Sequence, residues 1–262
     1  MGVLNVTPDS FSDGGRYLDP EAAIARGREL LAQGADLLDL GAESTRPGAA
    51  EVPADEQLRR LEPVVAALVR EPGVVLSVDT RSAAVAARAL EWGVHVVNDV
   101  SALGDPAMAG VVAPGGAGLV LMHMRGTPAT MQTDLRYDDV VAEVGAHLKR
   151  RMAVAAAAGI DAERIALDPG IGFGKSAAQS LRLLARGDDL AALGRPLLVG
   201  ASRKSFLARL LGDAPADRRL EASLAAAALA VFLGARVVRA HDVAETVRVV
   251  KVAEAARAAR GR

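Results

Sequence analysis

The chain alternates eight times between a short apolar run and a longer segment rich in Ala and Leu with helical spacing. The apolar runs cover residues 2–6, 36–40, 74–79, 94–100, 119–124, 164–168, 196–201 and 236–241. The helical segments lie near residues 20–33, 53–71, 82–92, 105–113, 135–158, 176–186, 217–233 and 243–259. Such units predict a parallel sheet, and eight of them favour a closed (β/α)8 TIM barrel over an open doubly wound sheet. We therefore expect one α/β barrel domain over residues 1–262.

The composition agrees with a barrel and excludes several classes of protein. Hydrophobic residues make up 51% of the chain and aromatic residues only 3%, so the core must consist of Ala, Val and Leu. A net charge of -1 with dispersed basic residues predicts no nucleic-acid partner. Without Cys, disulfides, thiolate zinc sites and a cysteine nucleophile are excluded. No apolar run suggests a membrane span and no signal peptide is visible, so we expect a cytoplasmic protein.

Polar residues gather at one end of the predicted strands. Barrel enzymes build their active sites on the carboxyl face of the sheet, from strand ends and the loops that follow. The pattern therefore predicts a cleft lined by carboxylates, amides and a few cations. Its members lie at or just beyond a strand end: Asn5, Asp39, Asp79, Asn98, Asp168, Ser202 and His241.

Two polar loops follow the first two strands. The first, NVTPDSFSDGG at 5–15, starts with Asn5, whose amide can ligate a hard cation or bind a phosphate oxygen. The second, DLGAESTRPG at 39–48, offers the hydroxyl of Thr45 and the forked guanidinium of Arg46 to a phosphate. Taken alone, each segment also fits an ordinary surface loop.

Two glycine-rich motifs follow later strands. In DPGIGFGK at 168–175, the Walker spacing is missing, and Asp168 is suited to accept two hydrogen bonds from a 2-amino-pyrimidinone edge. Phe173 packs beside such a ring or belongs to the core. In GASRKSF at 200–206, Gly200 leaves space inside the barrel, and Lys204 either contacts a heterocycle or acts as a Schiff-base nucleophile. We expect Arg203 to point outward to an ion pair.

The last motif, RAHD at 239–242, ends the eighth strand. Alternation places Arg239 and His241 on one face, where both can meet one anion, while Asp242 suits the start of the final helix. On the fifth strand we expect His123 to face the helix layer and Met122 to face the cavity.

Together these five motifs resemble the dihydropteroate synthase family, in the same order and over nearly the whole chain. NVTPDSFSDGG and ESTRPG are highly specific to that family, and DPGxGFGK, SRKS and RxHD support it. The resemblance implies a barrel transferase that joins 6-hydroxymethyl-7,8-dihydropterin pyrophosphate to p-aminobenzoate in folate biosynthesis. It also implies Mg2+ as cofactor and a homodimer.

The resemblance also implies a role for individual residues. It gives catalytic roles to Asn5, Arg46, Asp79, Asp168, Lys204, Arg239 and His241. The pterin contacts would be Asp79, Asn98, Met122, Asp168, Phe173, Gly200 and Lys204. Pyrophosphate would be bound by Asn5, Thr45, Arg46, Arg239 and His241, with Asn5 as metal ligand. The p-aminobenzoate contacts would be Thr7, Pro8, Phe11, Pro47 and Ser202.

Two other functions fit parts of the pattern. A methyltetrahydrofolate-type methyltransferase shares the barrel and the pterin carboxylates, but it has no need of Thr45, Arg46 and the first loop. A catalytically silent pterin-binding paralogue is the non-enzymatic alternative, against which the intact Asn5, Arg46, Lys204 and His241 argue. Because the chain starts almost on Asn5, we also expect a shortened first strand that weakens barrel closure.

Overall fold

Eight parallel strands form one sheet that closes on itself. The computed structural model describes residues 1–7, 19–45 and 48–260. Strands pair in chain order, and a bridge between Gly2 and Ala240 joins the last strand to the first. This closure confirms the predicted (β/α)8 barrel and excludes the open doubly wound sheet. The strands are β1 (Gly2–Asn5), β2 (Leu38–Gly41), β3 (Leu76–Asp79), β4 (Val96–Asp99), β5 (Gly118–Met122), β6 (Ile165–Asp168), β7 (Leu197–Val199) and β8 (Ala235–Val238).

The helices surround the sheet, and most of them follow the predicted segments. Two short helices, Gly187–Ala191 and Ser205–Leu210, lie outside the predicted segments. The helices are α1 (Pro20–Ala32), α2 (Ala54–Leu68), α3 (Ala83–Glu91), α4 (Met108–Val112), α5 (Val140–Ala157), α6 (Ala177–Ala185), α7 (Gly187–Ala191), α8 (Ser205–Leu210), α9 (Leu220–Phe232) and α10 (Val243–Arg260).

The first strand is short, and so are its neighbours. β1 has four residues, as do β2 and β3, and it pairs with β2 over its whole length. On its other side, the backbone N–H of Val3 donates to Ala240 O at 3.0 Å. Barrel closure therefore rests on backbone hydrogen bonds on both sides of β1.

Side-chain caps fix where several helices begin. Asp19 accepts from the backbone N–H of Glu21 in front of α1, and Pro20 occupies the first helical turn. The segment predicted as helical from 135 begins only at Val140, because Asp139 caps α5 by accepting from the backbone N–H groups of residues 141 and 142. Caps of this kind hold the helix ends near the strand ends that carry the polar residues.

Strand alternation separates an apolar layer from a polar interior. On β2, Leu38 and Leu40 belong to the buried core, whereas Asp39 lies on the other face with Gly41. β3 repeats the pattern, with Ser77 alternating with its apolar neighbours. The apolar core therefore fills the space between sheet and helices, and the barrel interior holds the polar side chains together with a few apolar ones such as Met122. In the described part of the chain, no helix is both long and apolar enough to cross a membrane.

Shortening Leu121 of β5 should destabilise the barrel. Its side chain is fully buried in the core, so we expect Leu121→Ala to lower the free energy of unfolding by about 2–5 kcal/mol. The control Val154→Ala alters a side chain of α5 that is 41% exposed and should change the free energy of unfolding by less than about 0.5 kcal/mol. Urea unfolding followed by circular dichroism measures both, and equal effects would contradict this account of the core.

Candidate active site

A buried carboxylate, Asp39, organises the barrel interior. Asp39 is fully buried and accepts three hydrogen bonds from three other segments of the barrel. Ser77 Oγ donates at 2.6 Å, Asn98 Nδ2 at 3.0 Å and Arg239 Nε at 2.6 Å. A charged acceptor so enclosed is tolerated because its oxygens are satisfied by hydrogen bonds, one of them from a cation.

Asp79 also belongs to this hydrogen-bond network, and the pKa of its carboxyl group is raised. Arg239 Nη2 donates to its Oδ2 at 3.0 Å, so one guanidinium bridges two carboxylates. Burial raises the pKa of Asp79 to about 7, against the opposing charge of Arg239 and with a further increase from Asp39. The site therefore contains a carboxyl group that is partly protonated near neutral pH.

Two oxygens of this network are open acceptors. Asp79 Oδ1 and Asn98 Oδ1 are buried, and neither has a hydrogen-bond partner among the residues that the structure describes. The two residues are register partners on β3 and β4. Because a buried acceptor without a donor is costly, these oxygens are suited to a ligand that brings N–H groups.

Asp168 and Lys204 form the second half of the site. Asp168 ends β6 and accepts from the backbone N–H of Gly170 at 2.7 Å; burial raises its pKa, while Lys204 opposes that shift. Lys204 donates to Ile171 O, and its Nζ lies 4.3 Å from the centre of the Phe173 ring. Burial lowers the pKa of Lys204 to about 8, although Asp168 counteracts it.

The other predicted pterin contacts lie beside these groups. Met122 is buried at the end of β5, in register with Asp168. A side chain at Gly200 would contact Arg239, with Cβ 3.6 Å from Arg239 Cβ. His123 faces the helix layer as predicted, since its ring centre lies 4.8 Å from that of His147 on α5.

The structure brings together Ser202 and His241, which the sequence assigned to different substrates. Ser202 Oγ lies 3.0 Å from His241 Nδ1 and accepts from the His241 backbone N–H at 3.2 Å. Arg203 turns outward, as predicted, and pairs with Asp242. Asp242 directly precedes α10, as expected, but its carboxylate binds Arg203. The serine and the histidine thus belong to one part of the rim.

Asn5 lies at the end of β1 next to Asp79. A Cβ built on Gly41 would lie 3.7 Å from Asn5 Oδ1 and 3.9 Å from Asp79 Oδ2, so both oxygens flank the space that this glycine leaves open. Amide and carboxylate oxygens are ligands that Mg2+ accepts, and it commonly adds substrate phosphates to one or two protein oxygens. Asp79 Oδ2 already accepts from Arg239, and among the described residues no group of three or more carboxylates and histidines could hold a metal ion. Asn5 could therefore contribute one ligand to an ion bound mainly by the phosphates of a substrate.

The predicted loop residues are described only in part. Thr7 and Thr45 are partly exposed at the ends of two described segments. Pro8, Phe11, Arg46 and Pro47 lie outside the described residues, so their predicted roles stay predictions.

Sequence reasoning missed two residues around the site. Asp39 was recognised as a polar residue near a strand end but given no role. Its position two residues before Gly41 on β2 indicates that it faces the barrel interior, so its burial there could have been predicted. Lys175 was given no role beyond ending its motif, whereas it is only 4% exposed. The motif DPGIGFGK does not by itself predict that the side chain of its lysine is buried.

Comparison with known proteins places this barrel among the enzymes that bind pterins. Residues 1–241 match the pterin binding enzyme family. Dihydropteroate synthase of Escherichia coli (strain K12) is 45% identical over 255 residues, which cover 97% of this chain and 90% of that protein. The chain therefore belongs to the dihydropteroate synthase family.

A longer relative and solved structures agree with this placement. A probable bifunctional folylpolyglutamate synthase/dihydropteroate synthase of Haloferax volcanii is 47% identical; the match covers 98% of this chain but only 30% of that protein. The Xanthomonas albilineans dihydropteroate synthase with 4-aminobenzoic acid has a TM-score of 0.92 and 47% identity, covering 98% of this chain and 92% of that one. The same synthase in complex with 7,8-dihydropteroate has a TM-score of 0.88 and 44% identity, with the same coverage.

The raised pKa of Asp79 should make stability depend on pH. An acid whose pKa is higher in the folded state than its ordinary value of 3.8 contributes stability below 3.8, and that contribution is lost as the pH rises through about 7. We expect the free energy of unfolding of the wild type, measured relative to Asp79→Asn, to fall between pH 5 and pH 8. Urea titrations across this range measure the difference, and a difference that does not change with pH would contradict the assignment.

Proposed function

We propose that this protein is a dihydropteroate synthase, which joins 6-hydroxymethyl-7,8-dihydropterin pyrophosphate to p-aminobenzoate and releases 7,8-dihydropteroate and pyrophosphate. The observation that carries the proposal is the set of buried acceptors at the strand ends, formed by Asp168 and the unpartnered oxygens of Asp79 and Asn98. A pterin is a flat heterocycle whose edges carry several N–H groups. It would supply the donors that these oxygens lack.

Pterin binding would use both halves of the site. The carboxylate of Asp168 would accept from the 2-amino group and the adjacent ring N–H, and Asp79 and Asn98 would accept from the opposite edge of the ring. Lys204 would donate to a ring nitrogen or carbonyl. Met122 and Phe173 would pack against the ring, and Gly200 would leave space for it. This arrangement orients the ring before reaction.

Departure of the leaving group would be the difficult step. The bond between the pterin methylene carbon and the ester oxygen breaks, pyrophosphate leaves with the electron pair, and the aryl amine forms the new C–N bond and loses a proton. The two carboxylates, Asp79 and Asp168, favour positive charge on the pterin. Arg46, Arg239 and His241, with Thr45, would stabilise the departing anion.

Asn5 would hold Mg2+ together with the pyrophosphate. When bound, the metal would neutralise negative charge on the leaving group, a contribution typically of several kcal/mol. The proposal is supported by the oxygens of Asn5 and Asp79 that flank the open space over Gly41. Thr7, Pro8, Phe11 and Pro47, with Ser202 near the carboxylate, would surround p-aminobenzoate.

Pyrophosphate release tests this function directly. With the purified protein and Mg2+, release should require both the pterin substrate and p-aminobenzoate, and EDTA should slow it. Asp168→Asn keeps the shape but removes the buried charge and should lower kcat/KM by about 10–100-fold, whereas Asp188→Asn, on the surface of α7, should not.

Each alternative gives a different result in that assay. Release without dependence on p-aminobenzoate would contradict the synthase proposal. Pterin binding without any pyrophosphate release would indicate the silent paralogue, and methyl transfer from methyltetrahydrofolate would indicate the methyltransferase.

We also propose that the protein works as a cytoplasmic homodimer. The adjoining helices α9 and α10 each expose an apolar side chain, Leu229 at 51% and Val252 at 70%, and a second copy would cover them. The pterin pyrophosphate is charged and crosses bilayers poorly, so the enzyme that uses it would lie in the compartment where this substrate is made, the cytoplasm.

One sedimentation experiment on a cell lysate tests assembly and location together. After membranes are pelleted, the chain should be in the supernatant and sediment at twice its mass of 27.0 kDa. Leu229→Glu should convert it to the monomer, and Leu210→Glu on α8 serves as the exposed control. A wild-type monomer, or recovery with the membranes, would contradict the corresponding part of the proposal.

A further inference from the structure

The side chain of Lys175 is buried, and its ammonium is surrounded by uncharged acceptors. Nζ lies 2.9 Å from His123 Nδ1 and donates to His123 O at 3.2 Å, Gly170 O at 2.9 Å and Phe173 O at 2.8 Å. Burial, followed by the charge of Lys175, lowers the pKa of His123 to about 2, so the imidazole is neutral. Burial also lowers the pKa of Lys175 to about 7, although the charge of Asp168 opposes this shift. A buried ammonium with this many directed contacts fixes the segments that supply them.

Those acceptors come from two different parts of the barrel. His123 follows β5, whereas Gly170 and Phe173 belong to the glycine-rich loop after β6. The loop packs closely against the end of β5, since a Cβ built on Gly170 would lie 1.9 Å from His123 O. Gly170 also has a φ of 65°, which favours glycine. Lys175 therefore ties the loop to β5 in a backbone conformation that other residues rarely adopt.

The same loop holds the lysine of the pterin site. Ile171 O accepts from Lys204 Nζ, and the Phe173 ring lies under the same ammonium. A Cβ on Gly172 would lie 3.1 Å from Lys204 Cδ, so loop and side chain are in close contact. The carbonyl oxygens of Gly170 and Phe173 accept from Lys175. The carbonyl oxygen of Ile171, which lies between them in the chain, accepts from Lys204.

We infer that Lys175 is a positioning residue for pterin recognition: it holds the glycine-rich loop so that Ile171, Phe173 and Lys204 present a preformed wall to the ring. The inference rests on the proposed synthase function. Lys175 acts through the loop and Lys204, because its own ammonium is occupied by protein acceptors. Without it, the carbonyls of Gly170 and Phe173 lose their donor in a buried place, and the loop must move to reach water.

Chemical replacement of the ammonium tests this role. The chain contains no cysteine, so Lys175→Cys introduces a unique thiol. Alkylation of the unfolded variant with 2-bromoethylamine, followed by refolding, restores an ammonium at nearly the same distance from the backbone. Iodoacetamide instead gives a neutral side chain of similar length. The matched control is Lys251→Cys on the exposed face of α10, treated in the same ways.

The readout separates the two substrates. Affinity for 6-hydroxymethylpterin is followed by its fluorescence, and KM is measured separately for the pterin pyrophosphate and for p-aminobenzoate. We expect Lys175→Cys and its iodoacetamide product to weaken pterin affinity and raise the pterin KM about tenfold or more, with p-aminobenzoate KM changed by less than about twofold. Aminoethylation should restore the pterin values, and no form of the Lys251 control should change them.

Three results would overturn the inference. The first is unchanged pterin affinity in the folded, unalkylated Lys175→Cys variant. The second is an equal loss for both substrates that aminoethylation does not restore. The third is a variant whose circular dichroism shows folding only when it carries the aminoethyl group, because the ammonium would then serve the whole fold. Failure of the synthase proposal is distinguished by the wild type, which would then show no pyrophosphate release that depends on p-aminobenzoate.

Discussion

The hydrogen bonds to the buried carboxylate of Asp39 are the constraint on which the interior of this barrel depends. Three donors from three segments converge on it, and one of them is the guanidinium of Arg239. Removing one partner of a buried ion pair leaves the other charge unpaired and typically costs about 3–5 kcal/mol. Asn98 and Arg239 are therefore fixed before any ligand arrives, at positions that the backbone alone would not select.

This fixed network determines which groups remain available for a ligand. Because Asp39 takes the amide nitrogen of Asn98 and Arg239 takes one oxygen of Asp79, the other oxygens of Asn98 and Asp79 are left as acceptors. Across the barrel, the glycine-rich loop fixes Lys204 beside Asp168. The site thus presents buried acceptors of N–H groups from three strands together with the ammonium of Lys204, a set of groups that is complementary to a planar heterocycle with both donors and acceptors.

Much of this arrangement was predictable because it depends on periodicity and on strand ends. Parallel strands in register bring their carboxyl ends to one rim, so Asp79, Asn98 and Asp168 were expected to lie together once eight units were recognised. The outward orientation of Arg203 was predicted as well, but its partner Asp242, 39 residues away in the chain, was not. Backbone pairing on both sides of β1, with β2 and with Ala240, depends on the registration of distant segments, which no local pattern reveals.

The sequence by itself determined the barrel, the rim of polar side chains and the family, because these follow from local alternation and from contiguous motifs. Only the tertiary structure decided the partners of each polar group. That Asp39 would hold Arg239, that Ser202 would meet His241 and that Lys175 would turn inward to His123 all depend on contacts between residues far apart in the chain. No local pattern specifies which buried donor finds which acceptor, since that choice is made by the packing of the whole barrel.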